Sequence, residues 1–423
     1  MEPPGPHGRR FPGDAQVWPR SRTTLGWTAG RQSDRLSQRR RRLYEIPNRR
    51  GIMTGADQGQ VTLGKVHPPV PDPRFLPKMQ RKLRAFQQAI RCTAIPWLLA
   101  RGKKPMTVQM AEVYDILRVY RRWPGYYFRF RGYLKEPDRA GQLVSPRLLN
   151  KVQFDLNRNA DLQLVGDKRR FRIWMQELGY PVIQEFFSKY GPGTIVDGQG
   201  VLVPLEQVAA FLKQRKGDLF VKPLGSSLGL GAFVWKPGDS SGFLENESTW
   251  IIQERLKQHP DMNRLYPGAL NTLRILTVKH AGQIHVEMLV LRIGSGGSCI
   301  DNSGAGGLSA RVDPDTGRIA TPATRRYEFD PSQRPYREHP DTGVTIEGFE
   351  IPFFRDGLEI VVDAASKISS FRSLGWDVCF MEDGPLIVEA NAQASVDLFL
   401  RFCDVANTAT GRMARETYAR RGG

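Results

Sequence analysis

The sequence predicts an α+β protein: mixed α and β units preceded by a helical region and a disordered basic tail. Three observations predict it. Near residue 160 the texture changes, from helically spaced apolar residues to short strands and helices closed by glycines. Glycine-punctuated hairpins at His280-Ala281-Gly282 and within residues 376–391 mark antiparallel strands. The first 70 residues are rich in Pro, Gly, Arg and Ser and show no sustained period. At 423 residues the chain exceeds what one core usually serves, so a tail and two or three packed units are expected.

Composition removes several classes. No run of eighteen apolar residues occurs, so no membrane-spanning helix is expected, and the N-terminus lacks the apolar stretch of a secretory signal. Cys92, Cys299, Cys379 and Cys403 form neither a CxxC pair nor a zinc spacing, which points to a reduced, cytoplasmic setting. The net charge of +19 is uneven: residues 1–52 hold twelve Arg and no Lys against four acids. Met53 opens an ordinary-looking start, so residues 1–52 read as a mis-annotated or loose extension of the tail. Arg39–Arg42 could contact nucleic acid, but aromatic interleaving is sparse and nucleic acid is not the expected partner.

Residues 72–156 have helical spacing. In Leu76–Ala100, Arg and Lys alternate with Leu83, Phe86, Ile90, Ile95 and Leu98; Val108, Met110, Val113, Ile116, Leu117 and Tyr120 follow. A basic amphipathic helix ending in IPWLLARGKK could rest on the inner face of a membrane as a peripheral contact. The commoner outcome, and the one expected, is packing on the next domain. Further on, helices are predicted over Lys168–Leu178, stopped by Gly179, and over Pro204–Arg215, stopped by Gly217. Strands are predicted over Leu219–Pro223, Gly231–Trp235, Trp250–Leu256, Thr272–His280 and Gln283–Ile293. Asp315-Thr316-Gly317 marks a turn, a helix over Leu358–Leu374 stops at Gly375, and a last hairpin occupies Trp376–Asn391.

Chemistry gathers at three places. In LFVKPLGSSLGLGAF a strand presents Lys222, and a loop then carries Gly225, Ser226, Ser227, Gly229 and Gly231 before a second strand. Glycines let backbone N–H groups approach phosphate oxygens. The loop lacks a Walker A ending and joins two strands, so it fits a flap over a nucleotide or a plain hairpin loop. In GWDVCFMEDGPLIVEAN, Glu389 and Asn391 share a strand face. A three-residue loop, Glu382-Asp383-Gly384, would pair Met381 with Pro385 and set Asp377 opposite Glu389. Trp376, Val378, Phe380, Leu386 and Val388 would then take the apolar face. Two carboxylates and a carboxamide oxygen on one surface suit Mg²⁺, and equally describe a solvated strand face. In WIIQERL the strand turns polar at Gln253 and Glu254, either a hinge for an adenine or a strand end in solvent. Arg274 and Arg292 share strand faces with apolar residues and need an anion, structural or a transferring phosphoryl group. Asp301 and Asn302 open a glycine-rich loop that reads as a turn.

The order of these pieces resembles the ATP-grasp superfamily, in which ATP lies between two α+β lobes. DKRRFRIWMQELGYPV resembles its first-lysine helix, which carries Lys168, and FVKPLGSSLGLGAF its second-lysine strand and flap. HPDMNRLYPGALNTLRILTV, LRIGSGGSCIDNSGAGG, HPDTGVTIEGFEIP and GWDVCFMEDGPLIVEAN resemble the sugar-transfer-associated branch related to alpha-L-glutamate ligases. The resemblance spans about residues 160–400 and implies a first lobe at 160–257 and a second at 258–423, after a tail at 1–70 and a helical region at 71–159. It implies ATP binding at Lys168, Lys222, the glycine flap, Gln253 and Glu254, Mg²⁺ at Asp377, Glu389 and Asn391, and catalytic roles for Arg274 and Arg292. The implied chemistry joins a carboxylate to an amine acceptor, small or glycan-linked, through an acyl phosphate; the alternatives are a sugar or alcohol kinase and a non-catalytic nucleotide-binding scaffold. Two departures stand out: Ala392-Gln393 replaces a Pro-Gly turn common in relatives, and no acidic ribose ligand is found beyond the hinge.

Overall fold

The computed structural model of the protein describes residues 90–422, apart from 122, 136–143, 225–230, 247, 331 and 333, together with Gln80, Leu83, Phe86 and Gln87. All of them lie in one compact unit, Val66–Gly423. The expected disordered tail, with Met53, lies outside the described residues.

After a π-turn at Ile90–Ala94, helices α1 (Ile95–Leu99), α2 (Met106–Tyr120), α3 (Gly125–Arg129) and α4 (Pro146–Leu156) form the predicted helical region. Helices α5 (Leu162–Gly166) and α6 (Lys168–Glu177) follow; Asp167 caps α6 by accepting from Arg169 N at 2.9 Å and Arg170 N at 3.1 Å. Gly179, at φ +86°, supplies the left-handed residue beyond it.

Strands β1 (Glu185–Gly191) and β2 (Thr194–Asp197) make a hairpin that the sequence reading did not include. Helix α7 (Leu205–Gln214) leads to β3 (Leu219–Lys222), β4 (Phe233–Trp235) and β5 (Trp250–Glu254). These five strands form one antiparallel sheet in the order β2-β1-β5-β3-β4. Its core joins Val208 and Leu212 of α7 to Leu219, Val221, Trp235, Trp250 and Ile252.

Helix α8 (Pro260–Leu265) precedes the second sheet: β6 (Thr272–His280), β7 (Gln283–Ile293), β8 (Leu308–Arg311), β9 (Thr324–Arg325), then helix α9 (Phe354–Lys367), β10 (Ser373–Met381) and β11 (Gly384–Asn391). The order is β11-β10-β6-β7-β8-β9. The β6–β7 turn is the predicted one: Ala281 and Gly282 both adopt positive φ, and His280 pairs with Gln283. Helices α10 (Val396–Phe402) and α11 (Ala409–Gly422) close the chain.

Strand alternation splits this sheet into two unlike faces. Leu273, Ile275, Leu289, Leu291, Trp376 and Val378 point into a core shared with α9 and α6. Leu276, Val278, Met288 and Val290 point the other way, against Leu149 and Val152 of α4 and Leu398 and Phe399 of α10. That second face continues beyond its apolar part into Thr272, Arg274, Arg292, Asp377 and Glu389. Helix α6, which the resemblance groups with the first sheet, buries Phe171 and Met175 in the core of the second.

Two expectations need correction. The helix predicted over Leu358–Leu374 runs over Phe354–Lys367, and Gly375 is no helix stop but an interior residue of β10. Tertiary contacts override the local pattern: Asn157, just past α4, accepts from Arg372 N at 3.0 Å and Ser373 N at 3.1 Å and starts the strand. Gly375 is required there, because a Cβ would lie 2.9 Å from Ala394 Cβ. The expected packing of the first basic stretch also fails: Leu83, Phe86, Ile90, Ile95, Leu98 and Leu99 are all exposed. Helix α4 packs on the second sheet; the segment ending in α1, for which packing was expected, does not.

Asn157 also donates to Ser373 O at 2.7 Å and Ala392 O at 2.9 Å, so one buried carboxamide ties the start of β10 to the residue after β11. Asn157→Ala should lower stability by about 3 kcal/mol, since it strands several buried backbone groups; a shift in urea midpoint measures it, and a midpoint equal to wild type would contradict this account.

Candidate active site

The first sheet contributes cations. Lys222 ends β3, half-buried, and burial pushes its pKa down to about 8; Glu389 works against that shift and the charge of Lys168 adds to it. Lys222 of the first sheet, Lys168 of α6 and Glu389 of the second sheet therefore share one field. Lys168 opens α6, and its Nζ donates to Leu224 O at 3.1 Å, at the root of the glycine loop. The helix is held in place by Glu185 of β1, a buried carboxylate that accepts from Arg169 and, at 2.9 Å, from Arg172 Nε. Sequence reasoning missed Glu185; its only trace was the cationic run DKRRFR, which demands a counterion somewhere.

The loop joins antiparallel neighbours β3 and β4, as its sequence suggested. Gly225, Ser226, Ser227 and Gly229 lie outside the described residues. Gly231 has φ +78°, and a Cβ on it would stand 3.1 Å from Pro223 Cγ, so Gly231 lies close against Pro223. Lys168, Lys222 and Gln253 line a cleft whose apolar walls include Phe171, Val182 and Ile387. Gln253 is buried and its Oε1 has no hydrogen-bond partner among the described residues. Glu254 is exposed, and its N–H is engaged by Gln184 O at 2.9 Å, so the two hinge residues separate: Gln253 borders the cleft and Glu254 faces solvent.

The second sheet contributes carboxylates and guanidiniums. Asp377 does pair with Glu389, but not through the expected loop. The turn has two residues, Glu382 and Asp383, with Met381 paired to Gly384. By itself that register would send Asp377 to the wrong side. A bulge at Val388, between the pairs Asp377–Glu389 and Val378–Ile387, shifts the strand by one residue and restores it. The apolar face changes accordingly: Ile387 and Ala390 join the core, whereas Leu386 and Val388, assigned there from sequence, are only half-buried and outside it.

Asp377, 1% exposed, is the centre of this group. Arg274 donates to both of its oxygens, through Nε and, at 2.9 Å, through Nη2; Arg292 Nη2 reaches Oδ2 at 2.9 Å. Burial would raise the Asp377 pKa, but the two guanidiniums overcome it and hold it at about 2. Glu389 moves the opposite way, pushed up by burial and by Asp377, to which it hydrogen-bonds. Arg292 also donates to Thr272 Oγ1, at 2.6 Å through Nη2, and stands 3.5 Å from Asp301. Asp301 accepts from Thr272 N at 2.9 Å, and burial raises its pKa against the pull of Arg292. The residue read as part of a turn is therefore a buried counterion, and Thr272 carried no signal in the sequence.

The predicted metal ligands can be weighed on this geometry. Glu389 and Asn391 are side by side, with Asn391 Nδ2 at 3.4 Å from Glu389 Oε1. Two hard oxygens near Lys222 fit Mg²⁺, which takes few protein ligands and completes its shell with water and phosphate oxygens. Asp377 is committed to Arg274 and Arg292 and would join such a set only by yielding one of those bonds. A larger groove, lined by Val152, His280, Arg372 and Met413, borders none of the predicted site residues.

Two antiparallel sheets flanking a cleft, with paired lysines from one side and an acidic hairpin from the other, make this an ATP-grasp fold. The model of the family described as sugar-transfer associated ATP-grasp matches residues 239–415, less than half of the chain. The match includes Arg274, Arg292, Asp377, Glu389 and Asn391 and leaves Lys168 and Lys222 outside. No curated protein matches the chain. Solved structures with some likeness include N5-carboxyaminoimidazole synthase from Aspergillus clavatus, at 12% identity and TM-score 0.32, covering 55% of this chain and 46% of that one. D-cycloserine synthetase has 14% identity and TM-score 0.35, covering 61% and 71%. D-alanyl-alanine synthetase A from Vibrio cholerae has 12% identity and TM-score 0.34, covering 61% and 65%. The chain spans about half the length of the first of these, at 46%. Likenesses this distant say nothing about substrate.

Nucleotide phosphates favour charged Lys222, so binding should weaken as pH rises through its value of about 8. One proton taken up on binding corresponds to about a tenfold loss of ADP affinity between pH 7 and 9. Titration calorimetry at several pH values checks this; Lys222→Met should bind weakly and remove the slope, and a wild type with no slope would contradict it.

Proposed function

We propose that the chain is an ATP- and Mg²⁺-dependent carboxylate–amine ligase. The observation that carries this reading is the Asp377–Glu389 pair, set between two buried guanidiniums on one sheet and within the field of Lys222 from the other. Neutral cores avoid such groups, because each buried charge needs compensation. A site that gathers four cations with three carboxylates suits a ligand bringing several negative charges of its own.

In this reading the apolar walls at Phe171, Val182 and Ile387 take the nucleobase, with Gln253 Oε1 as an acceptor for an exocyclic amine. Lys168 and Lys222 hold phosphate oxygens under the glycine loop. Glu389 and Asn391 would hold Mg²⁺, which when bound would offset phosphate charge. The substrate carboxylate attacks the γ-phosphorus of ATP, giving an acyl phosphate and ADP. The amine then attacks the acyl carbon and expels phosphate. Arg274 and Arg292, fixed by Asp377, Thr272 and Asp301, place positive charge where the transferred group and the oxyanion develop it. The matched family is described as sugar-transfer associated; in this reading the substrate is a sugar acid or amino acid, small or glycan-linked, used in making a surface polysaccharide.

Glu389→Gln should abolish ATP turnover, by about a thousandfold or more, while the thermal midpoint stays near wild type; full turnover in the variant would remove Glu389 from the metal set. Hydroxylamine added with a carboxylate substrate should trap a hydroxamate. ADP formation on an alcohol, without hydroxamate, would assign a kinase instead.

A further inference from the structure

The first basic stretch is left unexplained by ATP chemistry. Residues 73–111 contain nine Lys and Arg and no Asp or Glu. Within it Leu83, Phe86, Ile90, Ile95, Leu98 and Leu99 are exposed, Leu98 by 63% and Leu99 by 77%. Helix α2 adds a second exposed stripe, Met106, Met110 and Tyr114, at a spacing of four residues. This presentation is built rather than frayed. On the inner side of α1, Pro96 is buried, Trp97 Nε1 donates to Gln109 Oε1 at 2.9 Å, and the Trp97 ring meets Phe128 edge-on at 6.4 Å. Lys103 Nζ donates to Trp97 O at 2.9 Å. With Trp97 fixed inward, Leu98 and Leu99 are turned outward, and exposed Arg91 and Arg101 flank them.

We propose that this face docks on an anionic lipid surface, with Leu98 and Leu99 entering the acyl boundary and the surrounding cations meeting phosphate headgroups. Charge complementarity selects this occupant. A second copy of the same stripe would set two cationic segments against each other. Residues 1–52, with twelve Arg and four acids, are repelled for the same reason. Nucleic acid would satisfy the cations but leaves the adjacent leucines in water. An interfacial lipid layer accepts both halves, apolar side chains below and Lys or Arg at the headgroup level. Among the described residues no helix is long and apolar enough to cross a membrane, so the contact is a resting one.

The test is vesicle flotation of the full chain with phosphatidylcholine alone and with phosphatidylcholine–phosphatidylglycerol, at physiological and at high salt. Wild type should float with the anionic vesicles and not with the neutral ones. Leu98→Glu/Leu99→Glu should lower the floating fraction about tenfold or more, with an unchanged thermal midpoint. Arg91→Glu/Arg101→Glu should lower it too and decides the matter if the leucine variant does not fold. The proposal is overturned if wild type stays unbound, or if the leucine variant floats as wild type does, which would leave only the arginine tail at work. It is equally overturned if the leucine substitutions dissolve a dimer, or release an oligonucleotide, in a chain that binds no vesicles.

Discussion

Asp377 meets two guanidiniums in a place almost closed to water, and three adjacent strands depend on that meeting. Strand β10 supplies the carboxylate, β6 supplies Arg274 and β7 supplies Arg292. Each charge alone would carry a large desolvation cost at that depth. Together they hold the carboxylate ionised, and its charge in turn pushes the pKa of the neighbouring Glu389 up. The charge pairing of the site is thus set largely within the second sheet. It also explains how one sheet face can be apolar at one end and ionic at the other: the ionic end is internally compensated, and Leu276 and Val290 can pack beside it.

Helix α6 answers a different demand, that of holding a lysine from outside the sheets near a site made by both. Its two sides use unlike forces. Arg169 and Arg172 fasten it to Glu185 of the first sheet, while Phe171 and Met175 bury against the core of the second. An ion pair with a deep carboxylate is directional, and apolar packing is not. The helix is therefore positioned sharply toward the first sheet and braced more generally on the second. Lys168, its first residue, inherits that placement and reaches the root of the glycine loop.

Much of this was legible in the sequence, and the limits are physical. Strands β6 and β7 were bounded correctly because alternation of apolar residues ends at a two-residue turn with a strong signature, Ala281-Gly282. The opposition of Asp377 and Glu389 was foreseen with the wrong turn. A two-residue turn and a bulge at Val388 produce the same pairing as a three-residue loop without one, and nothing in GWDVCFMEDGPLIVEAN separates them. The helix over Leu358–Leu374 was overextended because Asn157, more than two hundred residues away, decides where β10 starts. Arg274 and Arg292 were recognised as needing an anion, but the choice between a structural carboxylate and a phosphoryl group is not local. Here Asp377 fills the first role, and its pairing leaves the second to a bound ligand. Glu185 and Thr272 were missed, and Asp301 was read as part of a turn, because their importance lies in partners brought by the fold, not in their own segments.

The N-terminal helices are part of the site's support. Leu149 and Val152 complete the apolar half of the face whose other half is ionic. Asn157 fastens both ends of the acidic hairpin at once. Arg129 of α3 reaches Asp397 at 3.5 Å and lies over the Tyr327 ring at 3.7 Å, joining the helical region to α10 and to the segment after β9. Removing residues up to 159 would uncover Leu276, Met288 and Val290, together with the apolar side of α10. The cost would fall first on the strand that carries Asp377. Helix α1, by contrast, is anchored through Pro96 and Trp97 and offers its leucines outward. The same region is thus rigid where it touches the hairpin and open at its far edge, which is how a scaffold element can brace a site while leaving a face for another surface.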